Sequence, residues 1–529
     1  MIARLAWAEL RQQVGSRVFW IVFAVSVLMV AGAMLIDELR IGLVEQGTRT
    51  GAEAVIRTHL VWTLFFLFTA AALVGEAVLR DEMTGFADLV RTTPVDRRSY
   101  ALGRFVGAFG TVVLCFLSVP GALAVSGLAL GYGTGSLAAY LFAFFALALP
   151  NLFLATALFF VLARLTRSMT GCLLGPAVLL TLYGLSPGGG SVSLIMAEPF
   201  GFAAIADATA GWNTVRREVQ IPALEGALLA NRVLWLTVAS ACLIAGIRLA
   251  QRAARTADPR RKRNVKIGSA ASASPSPATS PAVIEGASAR SLAAAQLFVR
   301  TGFEARRVIT TPAFAALMVM GLASAGAAAS RVTGSPATIT ALATSFQLVP
   351  LVMALFFAGE LFWAEQEHKV ASILAATPAR GVIMVLPKFL AMALIFLLLA
   401  LMTAGAGVAV QLVHDQQADL VAFLTWYILP KTCEWLLVAA LALFLQSLAP
   451  SKLAGWGYMV FYLIGSLALS KLGLDDPRYR YGSYPGAPLP PALSGAHGVS
   501  WYWFGWGTCA AGMVAWVCRR GLPGDPAAR

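Results

Sequence analysis

Charged residues are scarce in this chain of 529 residues, and several motifs of soluble enzymes are missing from it. Only 12% of the residues are charged, against roughly 25% in a typical soluble domain. The pattern G-x-x-x-x-G-K-[S/T], which holds ATP phosphates, does not occur, and neither does the zinc motif H-E-x-x-H. The six cysteines contain no C-x-x-C pair. These absences argue against a soluble enzyme, a self-contained ATPase and a zinc protease.

Long apolar runs dominate what is present, since 58% of the residues are hydrophobic. A helix of about 20 apolar residues crosses the roughly 30 Å hydrocarbon core of a bilayer, and runs of that length recur along the chain. They predict an all-α polytopic membrane protein with about twelve transmembrane helices. The predicted spans are 18–36, 60–79, 105–130, 138–163, 170–186, 232–249, 313–330, 342–363, 389–413, 421–447, 453–471 and 501–517.

The basic residues indicate how these helices are oriented. With the N-terminus in the cytoplasm, most of the 40 Lys and Arg fall on cytoplasmic segments, as the positive-inside rule requires. The densest cluster, from Arg255 to Lys266, directly follows the sixth span. Such a run could bind nucleic acid, but beside a span it more often lies near anionic lipid headgroups. We therefore expect contact with membrane lipid, no nucleic-acid partner, and two cytoplasmic termini. The Arg-rich composition is typical of a bacterial cytoplasmic (inner) membrane protein of a GC-rich genome.

An internal repeat is the most informative feature of the sequence. Glu9 matches Glu304, and Leu149-Pro150 matches Leu429-Pro430. The repeat predicts two parallel six-helix halves with a path between them. The best-matched pairs, which all share one constant spacing along the chain, are Glu76 and Glu360, Asp81 and Glu365, Thr93 and Thr377, Pro94 and Pro378, and Arg104 and Lys388.

The repeat divides the chain into four parts. Residues 1–249 form the predicted first half, which opens with an interfacial elbow helix, and residues 296–518 form the second. The intervening 250–295 is basic and then rich in Ser, Pro and Ala, a composition that cannot bury a core, so it is predicted to be a cytoplasmic linker. Residues 519–529 are a predicted cytoplasmic tail.

Each half is predicted to carry a short amphipathic helix after its second span, at about 80–93 and about 364–377. Leu89 lies at the centre of the apolar stripe of the first helix, and Ile373 lies at the same place in the second. Both helices should end before Thr-Pro, because proline pushes the preceding residue out of helical geometry. A single such helix could equally lie in the headgroup layer, but two matched copies favour docking on a protein partner.

This arrangement resembles the type-2 ATP-binding-cassette (ABC) exporter permeases. The shared pattern is an acid that ends the second span, an acidic helix start, an apolar residue, Thr-Pro, and a basic residue before the third span. The resemblance covers nearly the whole chain as two fused half-permeases. The residues to which it assigns ATPase coupling are Glu76, Asp81, Leu89, Thr93, Pro94, Glu360, Glu365, Ile373, Thr377 and Pro378.

The resemblance implies a set of partners. The two helices would dock on separate ABC ATPase subunits, two copies in all, which would bind ATP and magnesium, while this chain would bind no cofactor and hydrolyse no ATP. Some such permeases carry an appended zinc aminopeptidase domain, which here would be a separate chain. The second copy departs from the first where Gly85 becomes Lys369 and Arg97-Arg98 becomes Gly381-Val382. The two docking sites are therefore expected to be unequal.

Three polar residues within predicted spans are further candidates, because burying such groups in lipid is costly. Lys431 and Glu434 are spaced i, i+3 and can pair on one helix face, so a structural role is favoured over proton or substrate handling. Asn151 follows Pro150, where a kink frees a carbonyl that a neighbouring amide could satisfy.

Two other functions fit a membrane protein of this kind. An ion-coupled secondary transporter also commonly has two six-span halves, although it usually carries more charges within its spans. A non-transport membrane assembly subunit would need no catalytic constellation, and none stands out here. The external segments 187–231 and 472–500 are either short helices near an exit or ordinary loops. The sequence favours the exporter permease and leaves its cargo open.

Overall fold

The computed structural model describes residues 1–35, 48–93, 95–185, 192–255, 289–345, 348–368, 370–371, 374, 381–471, 481–482 and 497–521. Within these ranges the regular secondary structure is helical, as the sequence predicts. Nine helical segments of the described chain are long and apolar enough to cross a membrane. They are Arg17–Leu35, Ala52–Glu82, Arg97–Ala129, Leu137–Thr166, Gly226–Gln251, Pro312–Ala329, Val349–Glu367, Gly381–Val413 and Leu420–Leu448.

The first half begins with the predicted elbow helix and ends on a long helix that enters the linker. Three short helices, α10 to α12, lie within the external segment predicted between the fifth and sixth spans. The helices are α1 (Ile2–Val14), α2 (Arg17–Leu35), α3 (Ala52–Met83), α4 (Ala87–Thr92), α5 (Arg97–Phe116), α6 (Ser118–Ala129), α7 (Leu137–Phe142), α8 (Leu149–Thr166), α9 (Met169–Leu185), α10 (Val192–Ala197), α11 (Phe202–Ala208), α12 (Thr214–Val219) and α13 (Gly226–Arg255).

Nine helices are described in the second half, and two of them, α16 and α17, are separated only by residues 346–347, which lie outside the described residues. Most of the linker, and most of the external segment 472–500, lie outside the described residues. The helices are α14 (Ala289–Ile309), α15 (Pro312–Ala329), α16 (Ser335–Ser345), α17 (Leu348–Glu367), α18 (Gly381–Val413), α19 (Leu420–Phe423), α20 (Leu429–Leu448), α21 (Lys452–Lys471) and α22 (His497–Arg520).

Three of the twelve predicted spans coincide with helices that are not among the nine apolar segments. These are α9, which has 17 residues, α21 and α22. The polytopic membrane character is therefore clear from the nine segments, while the count of twelve stays a prediction.

A widened helical turn precedes the proline of the fourth span in each half. π-Helical turns cover Ala143–Ala148 and Leu424–Ile428, and each ends directly before a Leu-Pro pair. Proline has no N–H to donate to the carbonyl four residues earlier, so the helix is relieved by a local change of hydrogen-bond spacing. The two fourth spans thus carry the same π-helical turn at matched positions.

The helices of the two halves pack in the same pairs. In each half the elbow helix lies on the third span, α1 on α5 and α14 on α18, and the second span packs on the fourth, α3 on α8 and α17 on α20. The fourth span also packs on the last, α8 on α13 and α20 on α22. Contact between the halves runs through α9, which packs on α15 and α17.

Candidate functional site

A cluster of four charged side chains joins the elbow helix of the first half to its second and third spans. Arg104 Nη1 on α5 donates to Glu9 Oε2 on α1 at 2.8 Å, and Arg80 Nη2 on α3 donates to Glu9 Oε1 at 2.9 Å. Arg104 also pairs with Asp81 at the end of α3. We call these four residues, Glu9, Arg80, Asp81 and Arg104, the first cluster. It joins α1 and α5 to the end of α3, directly beside the predicted coupling segment.

Close backbone approach brings α1 into this cluster. A Cβ atom at Gly107 of α5 would lie 2.6 Å from the Glu9 Cβ and 2.7 Å from the Ala6 carbonyl oxygen. Only a glycine fits at such a distance, so its place in α5 allows Glu9 to be buried against the guanidinium of Arg104. A carboxylate is stable in that position because two guanidinium groups pair with it.

A second cluster occupies the matched place in the second half. Lys388 Nζ on α18 donates to Glu365 Oε1 of α17 at 2.7 Å and to Glu304 Oε1 of α14 at 3.3 Å. Arg300 Nη2 also donates to Glu365 Oε1, at 3.2 Å. The ammonium of Lys388 is fully buried, so its two carboxylate partners compensate the loss of water. We call Arg300, Glu304, Glu365 and Lys388 the second cluster.

The first predicted coupling helix is divided in the structure. Residues 80–83 complete α3, Gly85 adopts a left-handed conformation with φ of +74°, and the separate helix α4 covers Ala87–Thr92. Thr93 is extended, so α4 ends where the residue before a proline is expected to leave helical geometry. Pro94 itself lies outside the described residues.

The apolar side of this segment is open. Phe86 is 55% and Leu89 is 58% exposed. The next helix begins at once, because Asp96 accepts a hydrogen bond from the Ser99 backbone N–H at 3.0 Å, and this bond lowers the pKa of the Asp96 carboxyl. The segment is therefore held at both ends while two large apolar side chains are left open to a partner.

The corresponding segment of the second half is described only in part. α17 continues through Glu367, so it contains the first residues of the helix predicted at about 364–377. Three of the predicted coupling residues, Ile373, Thr377 and Pro378, lie outside the described residues.

The acids that end the second spans have basic partners. Lys452 Nζ at the start of α21 donates to Glu360 Oε1 at 2.6 Å and to Glu367 Oε1 at 2.9 Å. Glu76 lies 3.5 Å from Arg80 Nη2, one turn away on the same helix. Glu360 thus ties α17 to the fifth span of its half, whereas Glu76 makes a looser contact within its own helix.

The intramembrane candidates Lys431 and Glu434 form an ion pair. Lys431 Nζ donates to Glu434 Oε2 at 2.7 Å on one face of α20, and both residues are buried. Their i, i+3 spacing predicts this contact. A buried pair of opposite charge largely cancels its own field, so it contributes little net charge to the span.

Asn151, at the matched position of the first half, has different partners from those predicted. Its Nδ2 donates to the Phe200 carbonyl at 3.0 Å, and not to the carbonyl that Pro150 frees on its own helix. Its Oδ1 accepts from Arg232 Nη1 at 2.8 Å. The reason is the external segment, which folds back so that its backbone reaches α8.

A buried polar network around Arg232 was missed by the sequence analysis. Asn231 Nδ2 donates to the Glu198 carbonyl at 2.8 Å, and the Glu198 carboxylate accepts from the N–H groups of Phe200 and Gly201, each at 2.7 Å. Burial raises the pKa of the Glu198 carboxyl, against the opposite effect of these N–H donors. The sequence feature that could have predicted this network is the polar pair Asn231-Arg232 in the otherwise apolar run that α13 covers.

Comparison with known proteins assigns no family: no family model matches the chain, and no curated protein is significantly similar to it. In the part of the chain that the structure describes, no group of three or more His, Cys, Asp or Glu residues is placed to hold a metal ion. The candidate site is therefore defined by its own geometry, which is the first cluster beside the short helix α4 with its open apolar side, and the second cluster at the matched place of the other half.

Proposed function

We propose that this chain is the membrane-spanning permease of an ATP-driven ABC exporter, built from two fused six-span halves. The substrate path would lie between the halves, and separate ATPase subunits would dock on α4 and on its counterpart near residues 364–377. The observation that carries the proposal is the pair of charged clusters at the ends of the two second spans, the first of which lies beside the predicted docking helix α4.

The matched clusters support the duplication. In each half an acid of the elbow helix and an acid at the end of the second span share one base at the start of the third span. These are Glu9, Asp81 and Arg104 in the first half and Glu304, Glu365 and Lys388 in the second. The paired π-helical turns and the common packing order support it independently.

The clusters also suggest how movement would pass into the membrane. α4 is joined to α3 through the short connection 84–86 and to α5 through 93–96. Because separating a buried ion pair leaves an uncompensated charge, the ends of α1, α3 and α5 should move as one body. A force on α4 would therefore tilt the second and third spans together instead of unravelling a loop.

Such tilting would alter the proposed substrate path where the halves meet, at the contact of α9 with α15 and α17. Phe86 and Leu89 supply the apolar contact that a groove on a partner could bury. The partner would carry ATP and magnesium, any zinc aminopeptidase would be a separate chain, and the docking side would be the cytoplasmic side of a bacterial inner membrane, with both termini on it.

The test compares three variants of the full chain, each expressed with its ABC ATPase. Leu89→Asp places a carboxylate where the groove would desolvate it, so we expect loss of ATPase co-purification and of ATP-dependent transport. Ile373→Asp should lose less, because the second segment differs from the first at Lys369. Val215→Asp changes an exposed valine on α12, at the predicted external side, and should bind like the unchanged chain.

Full ATPase binding by Leu89→Asp and Ile373→Asp would remove the support for the exporter. The purified chain alone should hydrolyse no ATP. Turnover by a preparation free of any second polypeptide would contradict the division of labour proposed here.

A further inference from the structure

The two clusters differ at one matched position, and the difference coincides with a cavity. Arg80 of the first cluster is replaced by Ala364 at the equivalent position of the second half. Arg80 donates to Glu9 Oε1 at 2.9 Å and to Gln12 Oε1 at 2.6 Å, whereas a methyl group can donate to nothing. Ala364 instead lines a cavity of about 870 Å³ between α14, the end of α17 and the start of α18.

Glu304 lacks the donor that its counterpart has. Both carboxylate oxygens of Glu9 are bonded by guanidinium groups. Glu304 is only 2% exposed and also lines the cavity, yet its Oε2 has no hydrogen-bond partner among the described residues. An unpaired buried carboxylate oxygen costs free energy, so a donor from outside the chain would be stabilised there. The oxygen itself has almost no accessible surface, and such a donor would reach it from the cavity through a small movement of the Glu304 side chain.

The charges around the cavity restrict what that donor can be. Two bases, Arg300 and Arg307, and two carboxylates, Glu304 and Glu365, line the cavity, and the buried Lys388 pairs with both carboxylates. The recorded partner of the Arg307 guanidinium is a ring nitrogen of His368, at 2.8 Å, which brings no negative charge. A simple cation would meet this positive excess, and a simple anion would leave Glu304 without a donor.

The other wall of the cavity is apolar. Val299 and Phe303 of α14 are 70% and 66% exposed, and Ile383 and Met384 of α18 lie opposite. The cavity sits where two candidate spans, Val349–Glu367 and Gly381–Val413, end and begin, which is the depth of lipid headgroups. Polar and apolar walls at that depth suit an amphiphile.

We propose that this cavity binds a phospholipid with a primary ammonium headgroup, of the phosphatidylethanolamine type. The ammonium donates to Glu304, the phosphate pairs with Arg307, and the acyl chains leave along Val299 and Phe303. A headgroup that carries both an ammonium and a phosphate supplies a charged donor for Glu304 and an anion for Arg307. The site requires membrane location but does not depend on the exporter proposal.

The test measures lipid retention by native mass spectrometry on the full-length protein in detergent. It compares phosphatidylethanolamine with phosphatidylcholine, whose quaternary nitrogen has no N–H, and with phosphatidylglycerol, which has no nitrogen. We expect about one retained phosphatidylethanolamine per chain, and a preference of at least about tenfold over both others, the effect of one charged hydrogen bond.

Two variants and one control locate the binding. Ala364→Arg restores the residue of the first cluster and should abolish retention by filling the cavity. Phe303→Glu, on an exposed wall that folding does not need, should reduce retention by repelling the phosphate. Gly302→Arg adds a charge on the same helix where a new Cβ meets no atom within 4 Å, and it should leave retention unchanged.

Four results would overturn the proposal. The first is equal retention of the three lipids, and the second is no retention by the unchanged protein because the cavity holds only water. The third is unchanged retention by folded Ala364→Arg and Phe303→Glu, and the fourth is displacement of the lipid by soluble glycerophosphoethanolamine. The last result would indicate a soluble ligand in place of a membrane lipid.

Discussion

The first and second clusters hold three helix ends together with different chemistry. In the first, two guanidinium groups share Glu9, and each guanidinium offers up to five N–H donors in a fixed plane. In the second, Lys388 is shared by Glu304 and Glu365, and Arg300 pairs with Glu365 alone. The comparison indicates that the arrangement of an elbow-helix acid, a second-span acid and a third-span base matters more than the side chains that build it. The sparser copy leaves an orphan oxygen and a cavity.

The largest effect should come from removing the central base of each cluster. Lys388→Met leaves Glu304 and Glu365 buried with only Arg300 nearby, and we expect a loss of about 3–5 kcal/mol of stability. Arg104→Met should cost less, because Arg80 still pairs with Glu9. Apparent melting temperatures of the two purified variants would measure this. Equal losses, or a larger loss for Arg104→Met, would break the comparison.

A second prediction concerns the matched position in the fourth spans, which is Asn151 in the first half and Lys431 in the second. Lys431→Met should leave Glu434 without its partner and lower stability by about 2–3 kcal/mol. Adding Glu434→Leu should restore most of it, since an apolar pair can replace a buried ion pair. Thermal unfolding of the single and double variants measures both effects. If the double variant is stable but loses transport, the pair has a role in transport as well.

The halves also differ in how closely the elbow helix can approach. Gly107 corresponds to Ala391 at the equivalent position of the second half. Gly107→Ala forces a new Cβ to within 2.6 Å of the Glu9 Cβ, so we expect a loss of about 1–2 kcal/mol. Ala391→Gly removes one methyl group and serves as the reverse change. A neutral Gly107→Ala in thermal unfolding would mean that α1 is not fixed tightly on α5.

The smallest expected effect is a pH dependence that only the first half should have. Burial raises the folded-state pKa of Glu198 above its ordinary value of 4.5. Its contribution to stability is therefore complete below that ordinary value and is lost as the pH rises through the raised pKa. Glu198→Gln should remove this component from unfolding curves measured against pH. An unchanged pH profile would show that the N–H donors balance burial, so that the pKa of Glu198 is not raised.

Sequence reasoning found those features that local spacing determines. The apolar runs predict the nine membrane-length helices, the i, i+3 spacing predicts the pair of Lys431 and Glu434, and the residue before Pro94 predicts the end of α4. The equal offsets brought Arg104 and Lys388 forward as matched bases, although their shared carboxylate partners were not predicted.

Contacts between segments that are distant along the chain could not be predicted from the sequence. Asn151 and Arg232 lie on different helices far apart in the chain, and only the fold of the external segment brings Glu198 and Phe200 to them. The unpaired oxygen of Glu304 could not be predicted from the sequence either, because it depends on a residue of another helix, Ala364, which has no hydrogen-bond donor in its side chain. A single sequence gives the period of a helix but not which side of it another segment will cover.

Photo-cross-linking from position 89 tests the central claim most directly. A benzoylphenylalanine residue in place of Leu89 would be irradiated in the native membrane, and its adducts identified by mass spectrometry, with the same substitution at the exposed Val215 as control. The exporter account predicts that the cross-linker at position 89 forms an adduct with a polypeptide that carries a phosphate-binding loop. The cross-linker at position 215 should form no such adduct. Adducts with lipid alone at position 89 would mean that α4 lies in the headgroup layer, and would contradict the account.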